Sequence, residues 1–324
     1  MLKDPFGRTI NYMRISVTDR CNLRCRYCMP DGITCVPMRE LLIYEEIAFV
    51  CRQAADLGIN RFRITGGEPL VRKDCAKLVA MLRKIPGENR IAMTTNGVLL
   101  GTFLDELLEA GLDAVNISLD TMDRRQYADI TGADELKKVL DSVYRAAGRL
   151  PVKINCVVQN GVNEDAPLQL MPLARDLPVD VRFIELMPVG TGKEFNPVPN
   201  DVILAQIEEK YGKSREDCSE RGSGPAVYRR LDGFAGRVGL ISAVHGKFCG
   251  SCNRLRLTST GELKPCLCYG DTIPLREILR DDLPEKDKRI REKIREAVRM
   301  KPQAHSFEDR TGVTENRSMA QIGG

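Results

Sequence analysis

Three cysteines within eight residues, Cys21-x3-Cys25-x2-Cys28, constrain this chain more than anything else in it. Thiols spaced this closely sit on one loop and can face a single inorganic centre. Twelve cysteines occur in the 324 residues. A chain this long buries a full core without disulfide staples, so the needs of folding do not explain them. The N-terminal residues carry no apolar stretch of the kind a signal peptide needs, and no apolar run approaches the ~18 residues of a membrane span. The expectation is a cytoplasmic protein, and in a reducing compartment cysteines serve more often as metal ligands or catalytic groups than as disulfide partners. A formal net charge of +4 is too small for a nucleic-acid coat or a polybasic membrane anchor, so neither nucleic acid nor membrane is an expected partner. Only two histidines occur, His245 and His305, which excludes a histidine-rich metal site; each is expected to be structural or solvated.

Up to residue 188 the chain alternates β-rich and helix-periodic segments. Strands are expected at 11–18, 59–65, 90–95, 114–119, 152–158 and 179–186. Helix periodicity lies between them, as at Ile47, Val50, Cys51 and Ala54, and again at Leu136, Val139, Leu140 and Val143. Such alternation builds right-handed βαβ units and a parallel sheet. No GxGxxG turn follows the first strand, which favours a barrel over a doubly wound sheet. In a (β/α) barrel the loops after the strands form one face and carry the chemistry. Here those loops hold the cysteine triplet, Gly66-Gly67-Glu68-Pro69, Thr94-Thr95-Asn96-Gly97, Ser118-Leu119-Asp120, Gln159-Asn160-Gly161 and Glu185-Leu186-Met187-Pro188. Six polar or glycine-rich strand ends are thus expected to converge on one mouth. Past a helix at 201–211, residues 216–225 read as a linker, 226–243 as short strands with glycine turns, and 285–299 as a highly charged helix.

Three thiolates on one loop can hold three irons of a [4Fe–4S] cube and leave the fourth open, whereas a zinc loop would need Cys35 as a fourth ligand. The run Cys21-x3-Cys25-Arg26-Tyr27-Cys28 resembles the signature of the radical S-adenosylmethionine (SAM) enzymes. That resemblance implies that the SAM amino and carboxylate groups chelate the open iron, and that one-electron reduction of the sulfonium yields a 5′-deoxyadenosyl radical. Gly66-Gly67-Glu68-Pro69 is similar to the family's motif for the SAM amino group, where glycine admits a close backbone approach.

A second set follows, Cys249-x2-Cys252-x13-Cys266-x-Cys268. Four thiolates would make a closed zinc site or a fully ligated cluster, and three would leave an iron open to substrate. The residues alone do not choose between these. The stretch Cys252-Asn253-Arg254-Leu255-Arg256, with the runs 11–16 and 182–188 and the terminal Gly323-Gly324, resembles the GTP 3′,8-cyclase family of molybdenum-cofactor biosynthesis over essentially the whole chain. The resemblance implies two [4Fe–4S] clusters, one on Cys21, Cys25 and Cys28 and one on Cys249, Cys252 and Cys266, with Cys268 departing from the family pattern. It implies GTP binding by Arg14, Arg63, Thr94, Lys153, Arg254, Leu255 and Arg256, and SAM contacts from Tyr27, Gly67, Ser118 and Met187. The two cluster-side arginines Arg254 and Arg256 and the tail glycines Gly323 and Gly324 are implied to be needed for catalysis with the first three cysteines. Guanidinium forks suit triphosphate oxygens, which is independent chemical support for the arginines.

The expected fold class is therefore α/β, a partial (β/α) TIM-type barrel over residues 1–220, with a C-terminal iron–sulfur cluster-bearing extension over 221–324. The implied activity is of the lyase class: GTP to (8S)-3′,8-cyclo-7,8-dihydroguanosine 5′-triphosphate, with hydrogen taken from ribose C3′ and the carbon radical attacking guanine C8. The implied partners are GTP, SAM, an electron donor and the next enzyme of the pathway, with the chain a monomer or homodimer. The rivals are a radical SAM enzyme acting on a peptide or another nucleotide, and a non-enzymatic iron–sulfur carrier or zinc module. Cys35, Cys51, Cys75, Cys156 and Cys218 are expected to be spectators; Cys51 and Cys156 behave as small hydrophobes.

Overall fold

Runs that are apolar on one face and polar on the other, bounded by glycine and polar turns, set the strands. A computed structural model describes residues 1–219, 221–281 and 284–323. Its parallel strands are β1 (Tyr12–Ser16), β2 (Arg61–Thr65), β3 (Arg90–Thr95), β4 (Ala114–Ser118), β5 (Val152–Val158) and β6 (Val179–Glu185). Each coincides with an expected strand. Between and after them lie α1 (Tyr44–Asp56), α2 (Cys75–Arg83), α3 (Leu100–Glu109), α4 (Arg124–Thr131), α5 (Leu136–Ala146), α6 (Ala166–Asp176) and α7 (Asn200–Tyr211). Local chemistry marks the helix ends. Asp123 caps α4 by accepting from the Gln126 amide at 2.7 Å, and Gly132 stops it in the left-handed conformation with φ 73°. α5 is amphipathic, burying Leu136, Val139, Val143 and Ala146 toward the sheet.

The remainder is β7 (Arg215–Glu216), β8 (Val227–Arg230), β9 (Val238–Ile241), β10 (Arg254–Leu257), β11 (Glu262–Lys264) and β12 (Ile273–Pro274), then α8 (Arg276–Arg280), α9 (Lys286–Arg299) and α10 (Met319–Ile322). The C-terminal strands join the same sheet as the first six. β9 pairs parallel with β6 at one edge, and β10 pairs parallel with β1 at the other. The full order is β12-β11-β10-β1-β2-β3-β4-β5-β6-β9-β8-β7. No ladder joins β9 to β10 among the described residues, so the barrel is open along one side. The segment from Ser242 to Asn253, which carries Cys249 and Cys252, crosses that opening. It leaves β9 at its C-terminal end and enters β10 level with Tyr12, the first residue of β1.

Strand alternation then separates two environments. Met13, Ile15, Phe62, Ile64, Ile91, Met93, Val115 and Ile117 point outward and are buried beneath the helices. Tyr12, Arg14, Arg63, Thr94, Asn116, Asn155, Arg182, Arg254 and Arg256 point inward to the barrel axis. Small barrels ordinarily fill that interior with branched apolar side chains. This one fills it with cations and amides.

Candidate functional site

Two cavities share the barrel interior and open into each other. The one at the C-terminal ends of the strands is lined by Cys21, Cys25 and Cys28 with Tyr27, Gly66, Gly67, Ser118 and Asp120. The other, reaching into the N-terminal half of the barrel, is lined by Cys249, Cys252 and Cys266 with Tyr12, Arg63, Arg182 and Arg254. Arg14, Thr94, Asn155, Ile184, Met187 and Arg256 line both. The expected single mouth is thus one end of a longer space, because the second cysteine set enters through the open side of the barrel rather than over its rim.

The cysteine loop is seated on the glycine turn after β2. The Gly67 amide donates to the Thr18 carbonyl and the Glu68 amide to the Arg20 carbonyl, both at 2.8 Å. A Cβ on Gly67 would lie 2.4 Å from the Arg20 carbonyl oxygen, so only glycine permits this stitching. Glu68 is fully buried and binds the start of the next loop, accepting from Thr95 Oγ1 at 2.8 Å and from the Asn96 amide at 2.7 Å. Burial pushes its carboxyl up to about 7.

Tyr27 donates its hydroxyl to Asp120 Oδ2 at 2.8 Å, and Asp120 Oδ1 accepts from the Val157 amide at 2.8 Å. Burial raises the Asp120 carboxyl to about 6. Between the ordinary carboxylate value near pH 4 and about 6, the folded chain holds a proton that the unfolded chain has released, so rising pH through that window destabilises the fold. Asp120→Asn removes the effect. Measured by urea unfolding, the parent chain is expected to lose up to about 3 kcal/mol relative to that variant between pH 4 and 7. Parallel pH profiles for the two chains would refute this.

The cations form a row. β1–β10 and β1–β2 registers set Arg14 directly against Arg256 on one side and Arg63 on the other. Like charges opposite one another on adjacent strands are destabilising without a counter-charge. Burial, then neighbouring Arg254, pushes Arg256 down to about 10; burial and then Arg256 hold Arg14 well below its ordinary value. Arg63 Nε donates to the Tyr12 hydroxyl at 2.5 Å, and Arg254 lies over the Tyr12 and Phe248 rings. Arg254 Nε and Asn116 Oδ1 are buried in this cavity with no hydrogen-bond partner among the described residues. A buried, inward-facing cation row with orphaned polar atoms fits a polyanion.

Several expected residues sit differently. Leu255 alternates to the outer face and is fully buried in the core, so only its backbone can face the cavity. Lys153 shares the inward face of β5 but lines neither cavity; it is bonded to the Arg221 carbonyl and lies over the Tyr228 ring. Burial and then Arg182 push its ammonium down to about 7. Gly324 lies outside the described residues. Gly323 reaches back into the site: its carbonyl accepts from Arg256 Nη1 at 2.5 Å, and it packs on Ser16 and Thr65 at the ends of β1 and β2. Glu315 anchors that tail through Lys264 and through Arg317 Nε at 3.1 Å. Met319 and Ala320 line the first cavity.

Sequence reasoning missed Arg182, a buried guanidinium on β6 whose Nε donates to Asn155 Oδ1 at 2.9 Å. It also missed Lys301, buried beside Cys252. A charged residue inside a doubly covered parallel strand was the available signal for the first.

The donor sets suit thiolate-held clusters. The first three cysteines face one cavity, and the charge of each of Cys21 and Cys28 raises the Cys25 thiol after burial and Asp120. Among the described residues no three His, Cys, Asp or Glu side chains close on a single ion, and a cube takes each thiolate at a different iron. In the second set burial alone would raise the Cys252 thiol, but Lys301 and Arg254 outweigh it and hold it below its ordinary value. Cys268 does not line the cavity. It is fully buried in a small separate cluster with Val189, Leu267, Phe307, Val313 and Ile322, its Sγ accepting from the Ser306 amide at 3.5 Å. No helix among the described residues is long and apolar enough to cross a membrane.

Comparison with known proteins places these features in families. Residues 15–174 match the radical SAM superfamily and residues 179–307 the Molybdenum Cofactor Synthesis C family. The GTP 3′,8-cyclase of Alkaliphilus oremlandii is 43% identical over 329 residues, covering 100% of both chains. That of Pelotomaculum thermopropionicum is 44% identical, also over 329 residues and 100% of both. Among solved structures, Streptococcus suis SuiB bound to S-adenosylmethionine superposes with a TM-score of 0.61 at 14% identity, over 87% of this chain and 68% of that one. SuiB bound to the precursor peptide SuiA gives 0.63 at 14% identity, over 98% and 77%. At that identity the likeness is one of fold.

Proposed function

The chain belongs to the GTP 3′,8-cyclase family of radical SAM enzymes, and from that premise we propose that its two joined cavities divide the work of one reaction. The protein is an enzyme that converts GTP to (8S)-3′,8-cyclo-7,8-dihydroguanosine 5′-triphosphate, the first step of molybdenum cofactor biosynthesis. Its substrates are GTP and SAM, and it uses an iron–sulfur cluster.

In our reading Cys21, Cys25 and Cys28 hold the cluster that meets SAM, and Cys249, Cys252 and Cys266 hold a second one, while Cys268, buried in the side-chain cluster on which Cys266 packs, does not line the cavity. Held by Cys21, Cys25 and Cys28, a reduced cluster would supply one electron to the SAM sulfonium, so that the S–C5′ bond would break to methionine and a 5′-deoxyadenosyl radical, the electron being replaced by an external donor. The six strands up to residue 185 then carry SAM cleavage, while the later residues add β9 and β10 to the same sheet and bring the second cysteines and the tail. Tyr27, Gly67, Ser118 and Met187 bind SAM. Arg14, Arg63, Arg254 and Arg256 bind the triphosphate, Thr94 lines both cavities, and Lys153, on the inward face of β5, adds a cation nearby. Arg182 adds a further buried cation to the same wall. An external one-electron donor and an enzyme that takes up the cyclised triphosphate are the partners this chemistry calls for.

What carries the reading is the Arg256–Arg14–Arg63 row, which faces inward beside both cysteine sets. It stations a polyanion between them and so orients a nucleotide along the barrel. The test is anaerobic. Protein reconstituted with iron and sulfide receives SAM, dithionite and either GTP, ATP or no nucleotide, and 5′-deoxyadenosine and nucleotide products are measured by mass spectrometry. GTP-dependent 5′-deoxyadenosine together with a cyclised isomer of GTP is expected. SAM cleavage with no cyclised product from GTP would overturn the substrate assignment.

A further inference from the structure

Lys301 follows α9 and is only 4% exposed. Its Nζ lies 2.8 Å from the Arg254 carbonyl, 2.9 Å from the Pro265 carbonyl and 3.7 Å from Cys252 Sγ. An ammonium has three donors, and these contacts engage all of them. The partners are not arbitrary. Arg254 lies two residues past Cys252, and Pro265 immediately precedes Cys266. One side chain therefore bonds to both segments that carry the second cysteine set.

The residues after it complete a strap across the same set. Arg8 donates to the Pro302 and Gln303 carbonyls and, at 2.8 Å, to the Cys249 carbonyl. The His305 amide donates to Cys249 Sγ at 3.3 Å. A buried ammonium costs several kcal/mol unless an opposite charge and further hydrogen bonds compensate. No carboxylate pairs with Lys301 among the described residues, and two neutral carbonyls do not balance its charge. The anion within reach is the sulfur of Cys252 as a thiolate, the form in which cysteine binds iron.

We propose that Lys301 is the positioning residue of the second cysteine set, holding the Cys252 and Cys266 segments in one arrangement and setting a positive charge against the Cys252 sulfur. The inference rests on the reading that Cys249, Cys252 and Cys266 hold a cluster. Groups that hold and polarise a metal's ligands change metal affinity by about 10–100-fold when removed. A nearby positive charge also stabilises the more negative, reduced form of a cluster, so its loss lowers the midpoint potential.

The test uses the full chain with Cys21, Cys25 and Cys28 all replaced by alanine, so that any cluster belongs to the second set. After anaerobic reconstitution, iron and sulfide per chain, resistance to an iron chelator, and the midpoint potential by electron paramagnetic resonance titration are compared for Lys301, Lys301→Met and Lys301→Gln. Lys301→Met is expected to give up iron to chelator at least about tenfold more readily. Lys301→Gln retains amide donors for the two carbonyls but no charge, so it is expected to keep more iron and show a lower potential. If both variants match the parent in iron retention and potential, Lys301 has no such role. If the parent itself takes up no cluster, the two-cluster reading fails, and this inference with it. Should Lys301→Met not fold, the potential of Lys301→Gln decides alone.

Discussion

In Cys28→Ala, 5′-deoxyadenosine production falls to that of a no-enzyme control while the fold persists. Three thiolates leave one iron of a cube free for SAM, and two do not hold the cube in that state. The loop offers no ready replacement. Cys35, the nearest further cysteine in sequence, is exposed and does not line the first cavity. Truncation is cheap for the fold because Cys28 is only half-buried at a turn its backbone holds, the amide bonded to the Cys25 carbonyl at 3.0 Å, and the thiol gives up a single bond from the Ala320 amide. The loss is therefore expected without a change in circular dichroism or in apoprotein unfolding. Cys35→Ala serves as the paired control and should cleave SAM like the parent. Full SAM cleavage by Cys28→Ala, or its loss in Cys35→Ala, would reassign the ligand set.

How much of this could be read from sequence depends on which interaction decides each element. The six barrel strands were legible because local patterning decides them: each alternates or runs apolar between turn residues, with an amphipathic helix following. β9 and β10 were not legible as barrel strands. They are four residues each, β9 follows α7 only after two further short strands, β10 lies far along the chain from β1, and their pairing is decided by the open hydrogen-bonding edges of β6 and β1. Their placement brings Cys249 and Cys252 against the open side of the barrel, so the geometry of the second cysteine set was hidden with them. The cysteine spacings themselves were plain. Leu255 shows the opposite case: the Arg254-Leu255-Arg256 run points to the site as one stretch, yet a period of two already sends the Leu255 side chain away from Arg254 and Arg256. Lys301 carries no signal at all in one sequence: a lysine after a charged helix is ordinarily solvated, and only the fold reveals that it is buried against sulfur.

The tail is where a small change should cost most beyond the cysteines. Gly323 has φ 77°, which penalises any side chain. A Cβ there would meet Ser16 Cβ at 3.0 Å and Thr65 Cγ2 at 3.2 Å, at the ends of the two strands that lead into the cysteine loop and the glycine turn. Gly323→Ala adds one methyl group to that gap; Gly323→Val adds a branched side chain that the gap does not admit, so the tail must lift. Lifting it frees Arg256, whose Nη1 bonds the Gly323 carbonyl and whose side chain lines both cavities. The substrate's reacting carbon is then held by a displaced row of cations, and misplacement by about 1 Å costs on the order of 100-fold in rate. Cyclised product is expected to fall by about that factor in Gly323→Val and by less in Gly323→Ala. SAM cleavage in the presence of GTP should fall less in both, because Cys21, Cys25, Cys28 and Gly67 are held by the loops after β1 and β2, and the tail adds only Met319 and Ala320 to that cavity's lining. The informative quantity is the ratio of cyclised product to 5′-deoxyadenosine, which a loss of cluster would leave unchanged and a loss of substrate alignment lowers. A Gly323→Val enzyme with the parent's ratio would mean that the packing of Gly323 against Ser16 and Thr65 does not govern how GTP is aligned.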